Sequence, residues 1–255
     1  MVQCIRWYHD YVHINSKIYD DIKPVITKIN KDDNIKSVIN VGFDILSSQE
    51  SVKISEYNKK FFSSIGIHPL YSENNSCDNL YNLVSDKVVA IGEIGLDYLN
   101  KNIEIQKQFL IKQIAIANAL KLPVIIHSNN MNNEVIKVFE NCIKPKYGCV
   151  FHCFQLDIES LKYIIENGFY ISFAGRITYK NAKESIEIAK LIPNELFLIE
   201  TDSPYISPEP VRQEINQPSN IIYIENKLCE IKNMSKIELE EKVNSNTKKL
   251  FKKMR

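Results

Sequence analysis

Short apolar runs alternate with longer amphipathic segments along the chain. Each run is rich in β-branched or aromatic residues and has a length suited to a buried strand. Repeated alternation of strands with helices is typical of a parallel sheet whose strands are joined by crossover helices. Eight strands are predicted, at Ile5–Ile14, Ile35–Gly42, Lys60–Gly66, Val88–Glu93, Pro123–His127, Gly148–Cys153, Phe169–Phe173 and Leu196–Glu200.

The segments between these runs carry the spacing and the end signals of helices. In Glu104–Leu120 and Leu156–Asn167, apolar residues recur at helical spacing, which gives each predicted helix one apolar face. The tail Ser219–Phe251 predicts two further helices. The second of them is expected to begin at Ser235, because Glu238 three residues later completes a capping-box pattern.

The placement of polar residues distinguishes the two architectures that this alternation allows. A doubly wound open sheet and a (β/α)8 barrel are both built from strand-helix-strand units. Nearly every predicted strand from the third onward ends in, or is followed by, a histidine or an acid: His68, Glu93, His127, His152 and Asp202. In a closed parallel barrel such ends converge on one face. We therefore predict an α/β protein with a (β/α)8 TIM-type barrel, as a single domain over residues 1–255.

Charge and cysteine content narrow the class of protein. The 32 basic and 31 acidic residues give a net charge of +1, so any contact with nucleic acid must be local. Six scattered cysteines without a CxxC pair favour reduced thiols inside a cell. No apolar run approaches the roughly 20 residues that span a bilayer. We expect a cytoplasmic enzyme that does not contact a membrane. The sequence does not indicate a surface for a protein partner.

Histidines and acids together at strand ends indicate a metal centre. The histidines at or just after predicted strands are His13, His68, His127 and His152. One such histidine is more often structural, but their combination with Glu93 and Asp202 favours metal binding. Imidazole and carboxylate ligands suit Zn, Mn, Co or Ni, and sites richer in oxygen suit Mg or Mn. We predict one or two divalent ions (Mg, Mn or Zn), with Glu93 as the natural bridge between two.

Six segments, spread from about Gly66 to the C-terminus, carry a family resemblance. They are Gly66-Ile-His68-Pro69, Gly92-Glu93-Ile-Gly95-Leu-Asp97-Tyr98, Pro123-Val-Ile-Ile-His127-Ser128, Val150-Phe-His152-Cys153-Phe154, Gly168-Phe-Tyr-Ile-Ser172-Phe and Glu200-Thr201-Asp202-Ser203-Pro204-Tyr205. Each is weak alone, but together they are highly specific. The chain resembles the TatD family of metal-dependent deoxyribonucleases.

The resemblance implies a role for each candidate ligand. Glu93 would bridge two metals, His127 and His152 would complete one site, and Asp202 would belong to the other. At that other site His13 aligns with the second histidine of the family's opening motif. The implied activity is a nuclease that acts on DNA from the 3′ end.

The same resemblance implies roles around the scissile bond. Asp202 would also handle the proton of the attacking water, and His68 would lie beside the scissile phosphate. Arg212 resembles the arginine-rich loop after the family's last strand, and a guanidinium matches the geometry of phosphate. The expected substrate is a DNA end or a small phosphodiester.

The opening strand departs from the family pattern. The family carries Asp-x-His-x-His there, whereas this chain reads His9-Asp10-Tyr11-Val12-His13. Without a gap, Tyr11 takes the first ligand position, and a one-residue slip restores Asp10 but supplies no first histidine. Loss of a residue that merely supports a ligand costs about 10- to 100-fold in metal affinity or activity, so we expect a weakened first site.

A second departure follows His127. The family usually has Ser-Arg-Asp where this chain has Ser128-Asn129-Asn130, which removes a cation and an anion from the mouth of the site. Two alternatives to a nuclease therefore stay open. One is hydrolysis of a small ester, amide or phosphorylated metabolite, because fold does not fix substrate. The other is a degenerate barrel that binds without turnover.

Overall fold

Eight parallel strands, each next to its neighbour in the sequence, form the sheet of this α/β protein. The computed structural model describes residues 11–16, 18–19, 21–74, 76–100, 102–155 and 157–254. The strands are Tyr11–Val12 (β1), Val38–Val41 (β2), Phe61–Ile65 (β3), Val88–Asp97 (β4), Val124–Asn129 (β5), Cys149–Phe151 (β6), Tyr170–Phe173 (β7) and Phe197–Ile199 (β8). Each overlaps a predicted strand, although β4 and β5 extend beyond their predicted ends, and the predicted residues 5–10 lie outside the described part.

Helices fall between the strands and after the last one, as predicted. They are Lys23–Lys31 (α1), Ile45–Tyr57 (α2), Ile103–Leu120 (α3), Asn132–Asn141 (α4), Ile158–Glu166 (α5), Lys183–Leu191 (α6), Ile221–Lys232 (α7) and Lys236–Leu250 (α8). The predicted capping box is confirmed, since Ser235 and Glu238 cap each other's backbone N–H at the start of α8. Within the described residues, no helix has both the length and the apolar character needed to cross a membrane.

The two edges of the sheet meet at a single point. Val12 of β1 forms an isolated parallel bridge with Ser203, just after β8. The backbone N–H of His13 donates to the Ser203 carbonyl oxygen at 2.7 Å. The described residues contain no longer ladder between β1 and β8, so the fold is TIM-barrel-like, and the predicted class is confirmed at that level.

Strand β4 lies at the centre of the packing. All ten of its residues are buried, as expected for a parallel strand covered on both faces. Its register against β5 shifts between Ile91 and Ile94. Such irregularities re-aim side chains, and Glu93 lies within this one.

Gly95 allows β4 to run very close to β5. A Cβ atom at Gly95 would lie 1.8 Å from the carbonyl oxygen of His127, and its φ of +151° is one that other residues rarely adopt. Only glycine fits without movement of one strand. The contact brings the ends of β4 and β5, which carry Glu93 and His127, side by side.

Candidate metal centre

The carboxyl ends of the strands surround one cavity of about 340 Å³. Six of the seven predicted site residues line it: His13, His68, Glu93, His127, His152 and Asp202. They come from the ends of β1, β3, β4, β5 and β6 and from the turn after β8. The structure thus brings together polar residues that are far apart in sequence, at the face where barrel enzymes hold their chemistry.

Glu93 is the centre of this group. Its Oε1 lies 2.6 Å from His127 Nδ1, 3.4 Å from His152 Nε2 and 3.8 Å from His68 Nε2, and its Oε2 lies 3.4 Å from His13 Nε2. Burial alone would raise the pKa of Glu93. The nearby imidazoles of His152 and His127 outweigh that effect and hold the pKa well below its usual range. Glu93 is therefore a carboxylate with both oxygens available to cations.

The hydrogen bond of His13 directs its other nitrogen toward the carboxylates. His13 Nδ1 lies 3.2 Å from the carbonyl oxygen of Val41, which can only accept, so Nδ1 carries a proton. In the neutral ring Nε2 then holds the lone pair, and it lies 3.5 Å from Asp202 Oδ1. Burial lowers the pKa of His13, but Asp202 and Glu93 outweigh it and raise the pKa to about 9. A field that retains a proton here also favours a metal cation.

His152 is oriented in the same way by a buried acid. Its Nδ1 lies 2.8 Å from Glu200 Oε2, and the other oxygen of Glu200 accepts from the backbone N–H of Cys153 at 2.8 Å and from the Ser172 hydroxyl. Burial raises the pKa of Glu200, but the charge of His152 outweighs it and lowers the pKa. Carboxylates in this position fix the ring and tautomer of metal-binding histidines.

His127 has a comparable partner in Asp97. Its Nε2 lies 2.8 Å from Asp97 Oδ2, while its Nδ1 faces Glu93. The side-chain amide of Asn129 lies 3.4 and 3.3 Å from the two Asp97 oxygens, where the family usually has an arginine. Sequence reasoning gave Asp97 and Glu200 no role. The available signal was a second acid close to each predicted one, four residues after Glu93 and two before Asp202.

The tautomer of His68 is opposite to that of His13. Its Nδ1 accepts from the backbone N–H of Leu70 at 3.2 Å, so in the neutral ring the proton lies on Nε2. Burial, and after it the charge of His127, lower the pKa of His68 to about 3. His68 is thus a neutral N–H donor aimed at the cluster. That suits contact with an anionic group better than metal coordination.

The donor atoms fit divalent ions. Three groups of residues offer atoms that lie within 4.8 Å of one another: Glu93, His127 and His152; His152, Cys153 and Asp202; and His68, Asp97 and His127. Imidazole nitrogen with carboxylate oxygen is the ligand set that Zn and Mn accept, and Mg accepts its oxygen-rich part. The residues present therefore fit the predicted metal ions.

Arg212 is the predicted site residue that does not line the cavity. Its guanidinium lies over the ring of Tyr179, 4.0 Å from the centroid, and pairs with Glu209 at 3.7 Å. Arg176, which follows Ser172-Phe-Ala-Gly175 and was not among the predicted site residues, lines the cavity instead. At the opening strand, the backbone of Tyr11 belongs to β1. His9 and Asp10 lie outside the described residues.

Comparison with known proteins identifies relatives over nearly the whole chain. The family model described as TatD related DNase matches residues 10–252. The uncharacterized metal-dependent hydrolase YabD of Bacillus subtilis is 34% identical over 248 residues, which cover 94% of this chain and 97% of YabD. The uncharacterized metal-dependent hydrolase YcfH of Escherichia coli K12 is 34% identical over 194 residues, covering 74% and 72% of the two chains.

Solved structures with the same fold were also found. The TatD homologue YJJV of Escherichia coli superposes with a TM-score of 0.88 at 23% identity, covering 98% of this chain and 99% of that one. A hydrolase described as a TatD family protein from Entamoeba histolytica gives a TM-score of 0.85 at 22% identity, covering 96% and 98%. At these identities the likeness concerns the fold.

Proposed function

Because this chain belongs to the TatD family of metal-dependent hydrolases, we propose that it hydrolyses phosphodiester bonds at the 3′ end of DNA. The observation that carries the proposal is the buried Glu93 carboxylate, which faces four imidazoles at the carboxyl end of the sheet. We further propose a closed barrel, a single domain over residues 1–255 and a cytoplasmic location.

One or two divalent ions, Mg, Mn or Zn, would be held around Glu93. Glu93 would be shared, His127 and His152 would complete one position, and His13 and Asp202 would hold the other. Such ions lower the pKa of bound water and neutralise charge on a phosphate. Val41, Glu200 and Asp97 support the proposed ligands, since their oxygens fix the orientation of the rings.

Asp202 and His68 would act on the reacting groups. Asp202 would accept the proton of the attacking water, because its carboxylate is buried at the cavity and lies 3.5 Å from His13 Nε2. His68 would donate a hydrogen bond from Nε2 to a phosphate oxygen. Its tautomer and its lowered pKa support that role.

Phosphate contacts from arginine would come from two places. Arg176 lines the cavity and can reach a bound phosphodiester there. Arg212 keeps its proposed role only for a longer strand that leaves the cavity toward Tyr179 and Glu209. Substitution of Arg176 is therefore expected to weaken binding of a short substrate more than substitution of Arg212.

Hydrolysis of a small ester, amide or phosphorylated metabolite is the second candidate. The near-zero net charge and the size of the cavity favour it, since neither requires a polymer. A barrel that binds without turnover would follow if Tyr11 fails to support the first metal. Cleavage of a small phosphodiester without cleavage of DNA would select the small-substrate hydrolase.

The deciding experiment measures metal content and the end from which DNA is shortened. Single-stranded DNA labelled at the 3′ or the 5′ end is incubated with the purified protein in Mg, Mn or Zn, with Glu93→Ala as control. The proposal expects metal-dependent shortening from the 3′ end that Glu93→Ala abolishes. Bound metal without cleavage of either DNA would overturn it.

The weakened first site has its own test. Tyr11→His restores the family's ligand under the ungapped alignment, so it is expected to raise both the number of metal ions bound per chain and the rate of hydrolysis. The matched variant Tyr11→Phe is expected to change neither. No gain in metal content with Tyr11→His would refute the ungapped alignment.

A further inference from the structure

The rim of the cavity has an aromatic half and a polar half. The aromatic half follows β8, β2 and β3, on both sides of β1, and consists of Tyr205, Phe43 and Tyr71. Tyr71 is 44% exposed and Tyr205 is 42% exposed at the mouth of the cavity. The polar half follows β5, β6 and β7 and consists of Asn129, Gln155 and Arg176.

Two of the aromatic rings contact the imidazoles that are proposed to bind metal and phosphate. Tyr71 and Phe43 are 5.1 Å apart between centroids with their planes at 37°, and Tyr71 lies 6.3 Å from His68. On the other side of β1, Tyr205 lies 5.7 Å from His13. A group held at the cluster can therefore place a flat ring attached to it against Tyr71.

Hydrogen bonds fix the backbone that carries Phe43 and Tyr71. The backbone N–H of Phe43 donates to Ser47 Oγ at 2.9 Å, and Ser47 also forms the capping box of α2 with Asp44. The backbone N–H of Tyr71 donates to the His68 carbonyl oxygen at 2.9 Å. A ring that is carried on a fixed backbone and packs against a second ring, as Tyr71 does on Phe43, loses less conformational entropy when a ligand stacks on it than a ring without such support.

We propose that Tyr71, backed by Phe43, is the stacking surface for the terminal nucleobase of the strand whose phosphodiester lies at Glu93. This inference rests on the proposed function and deepens it, because it selects a base-bearing phosphodiester over a small metabolite. The next nucleotide leaves over the polar half, where Arg176 meets its phosphate. Stacking tolerates every base, so this surface selects a nucleic-acid end without selecting a sequence.

The test measures binding to an end that cannot be cleaved. A short 5′-labelled oligothymidylate with a phosphorothioate as its 3′-terminal linkage is titrated with the metal-loaded protein, and the dissociation constant is read from fluorescence anisotropy. Tyr71→Ala is expected to weaken binding about 5- to 100-fold, the loss of one stacked base. Tyr71→Trp, which keeps a flat ring, is expected to restore it. Tyr81→Ala is the matched control, because Tyr81 is 49% exposed and lies outside the cavity lining.

Removal of the 3′-terminal base from the oligonucleotide gives a second arm. The wild-type protein is expected to lose the same factor on the abasic end, whereas Tyr71→Ala is expected to bind both ends equally. Equal binding of both ends by the wild type, or equal losses in Tyr71→Ala and Tyr81→Ala, would overturn the proposal. Base-dependent binding through Tyr71 without cleavage would refute the nuclease and leave the stacking surface. Cleavage of DNA without dependence of binding on Tyr71 would support the nuclease and refute the stacking surface.

Discussion

This protein has two clusters of buried acids, and the pKa of the central glutamate is lowered in one and raised in the other. Glu93 in the cavity is 4% exposed, and Glu225 between α7 and α8 is fully buried. Glu93 faces four imidazoles and has a lowered pKa. Glu225 and Glu240 share Lys236, whose Nζ lies 3.1 and 4.0 Å from them. Burial raises the pKa of Glu225 to about 8, because the nearby Lys236 offsets only part of it.

The comparison shows that burial alone does not decide whether an acid is charged. The positive partners that each acid faces decide it: His152 and His127 outweigh burial at Glu93, whereas Glu225 has one ammonium that it shares with Glu240. The first arrangement keeps an anion ready for a cation. The second favours the protonated form of Glu225, at the contact between α7 and α8.

The largest expected effect comes from neutralising the acid at the cavity. Glu93→Gln retains size but removes the charge shared by the proposed ligands, so metal affinity is expected to fall by more than about 100-fold. Calorimetric titration with Mn or Zn measures it. Glu225→Gln makes the same chemical change in the other cluster and is expected to leave metal affinity unchanged. Equal losses of metal affinity in both variants would show that the Glu93 cluster has no special role in metal binding.

A smaller loss is expected when a ring loses its supporting acid. Asp97→Asn weakens the acceptor for His127 Nε2, and Glu200→Gln does the same for His152 Nδ1. Each is expected to lower metal affinity about 10- to 100-fold, as measured by the same titration. Glu195→Gln is the control, since Glu195 is an exposed acid paired with Lys242 at 2.9 Å. Unchanged affinity in Asp97→Asn would remove Asp97 from the site.

A further expected effect concerns stability and its dependence on pH, and it does not involve metal affinity. The pKa of a glutamate in an unfolded chain is about 4.3, whereas folding raises the pKa of Glu225 to about 8. Between these values the folded chain holds a proton that the unfolded chain releases. The contribution of Glu225 to the free energy of unfolding is therefore fully present below about 4.3 and falls as pH rises to about 8, by at most about 1.4 kcal/mol per pH unit.

Glu225→Gln cannot titrate and is expected to flatten that dependence, so that the variant gains stability relative to wild type as pH rises from 6 to 8. Urea unfolding at pH 6, 7 and 8 measures the two slopes. If the free energy of unfolding changed with pH in the same way in both proteins, the proton responsible for that change would belong to a group other than Glu225.

The sequence predicted what depends on local pattern. All eight strands, the long helix α3 and the start of α8 at Ser235 follow from apolar spacing or from a cap within three residues. Convergence of the strand-end residues was also predictable, because parallel strands present their carboxyl ends at one edge.

What the sequence did not predict depends on distances between elements. The pairing of His127 with Asp97 arises because β4 continues four residues beyond the predicted end at Glu93, alongside β5. The choice of Arg176 over Arg212 as a cavity residue depends on loop paths, and stacking on Tyr179 draws Arg212 away. Neither loop geometry nor side-chain pairing has a periodic signal in one sequence.

The close approach at Gly95 has a consequence for redesign of the site. Since a single added carbon would collide with the His127 carbonyl oxygen, the separation of the two central strands cannot be tuned by substitution there. An engineer who wants a different metal preference must leave that backbone alone and vary the acids behind the rings. Directed evolution of this scaffold should accordingly accumulate changes at positions such as 97, 129 and 200 and leave codon 95 untouched.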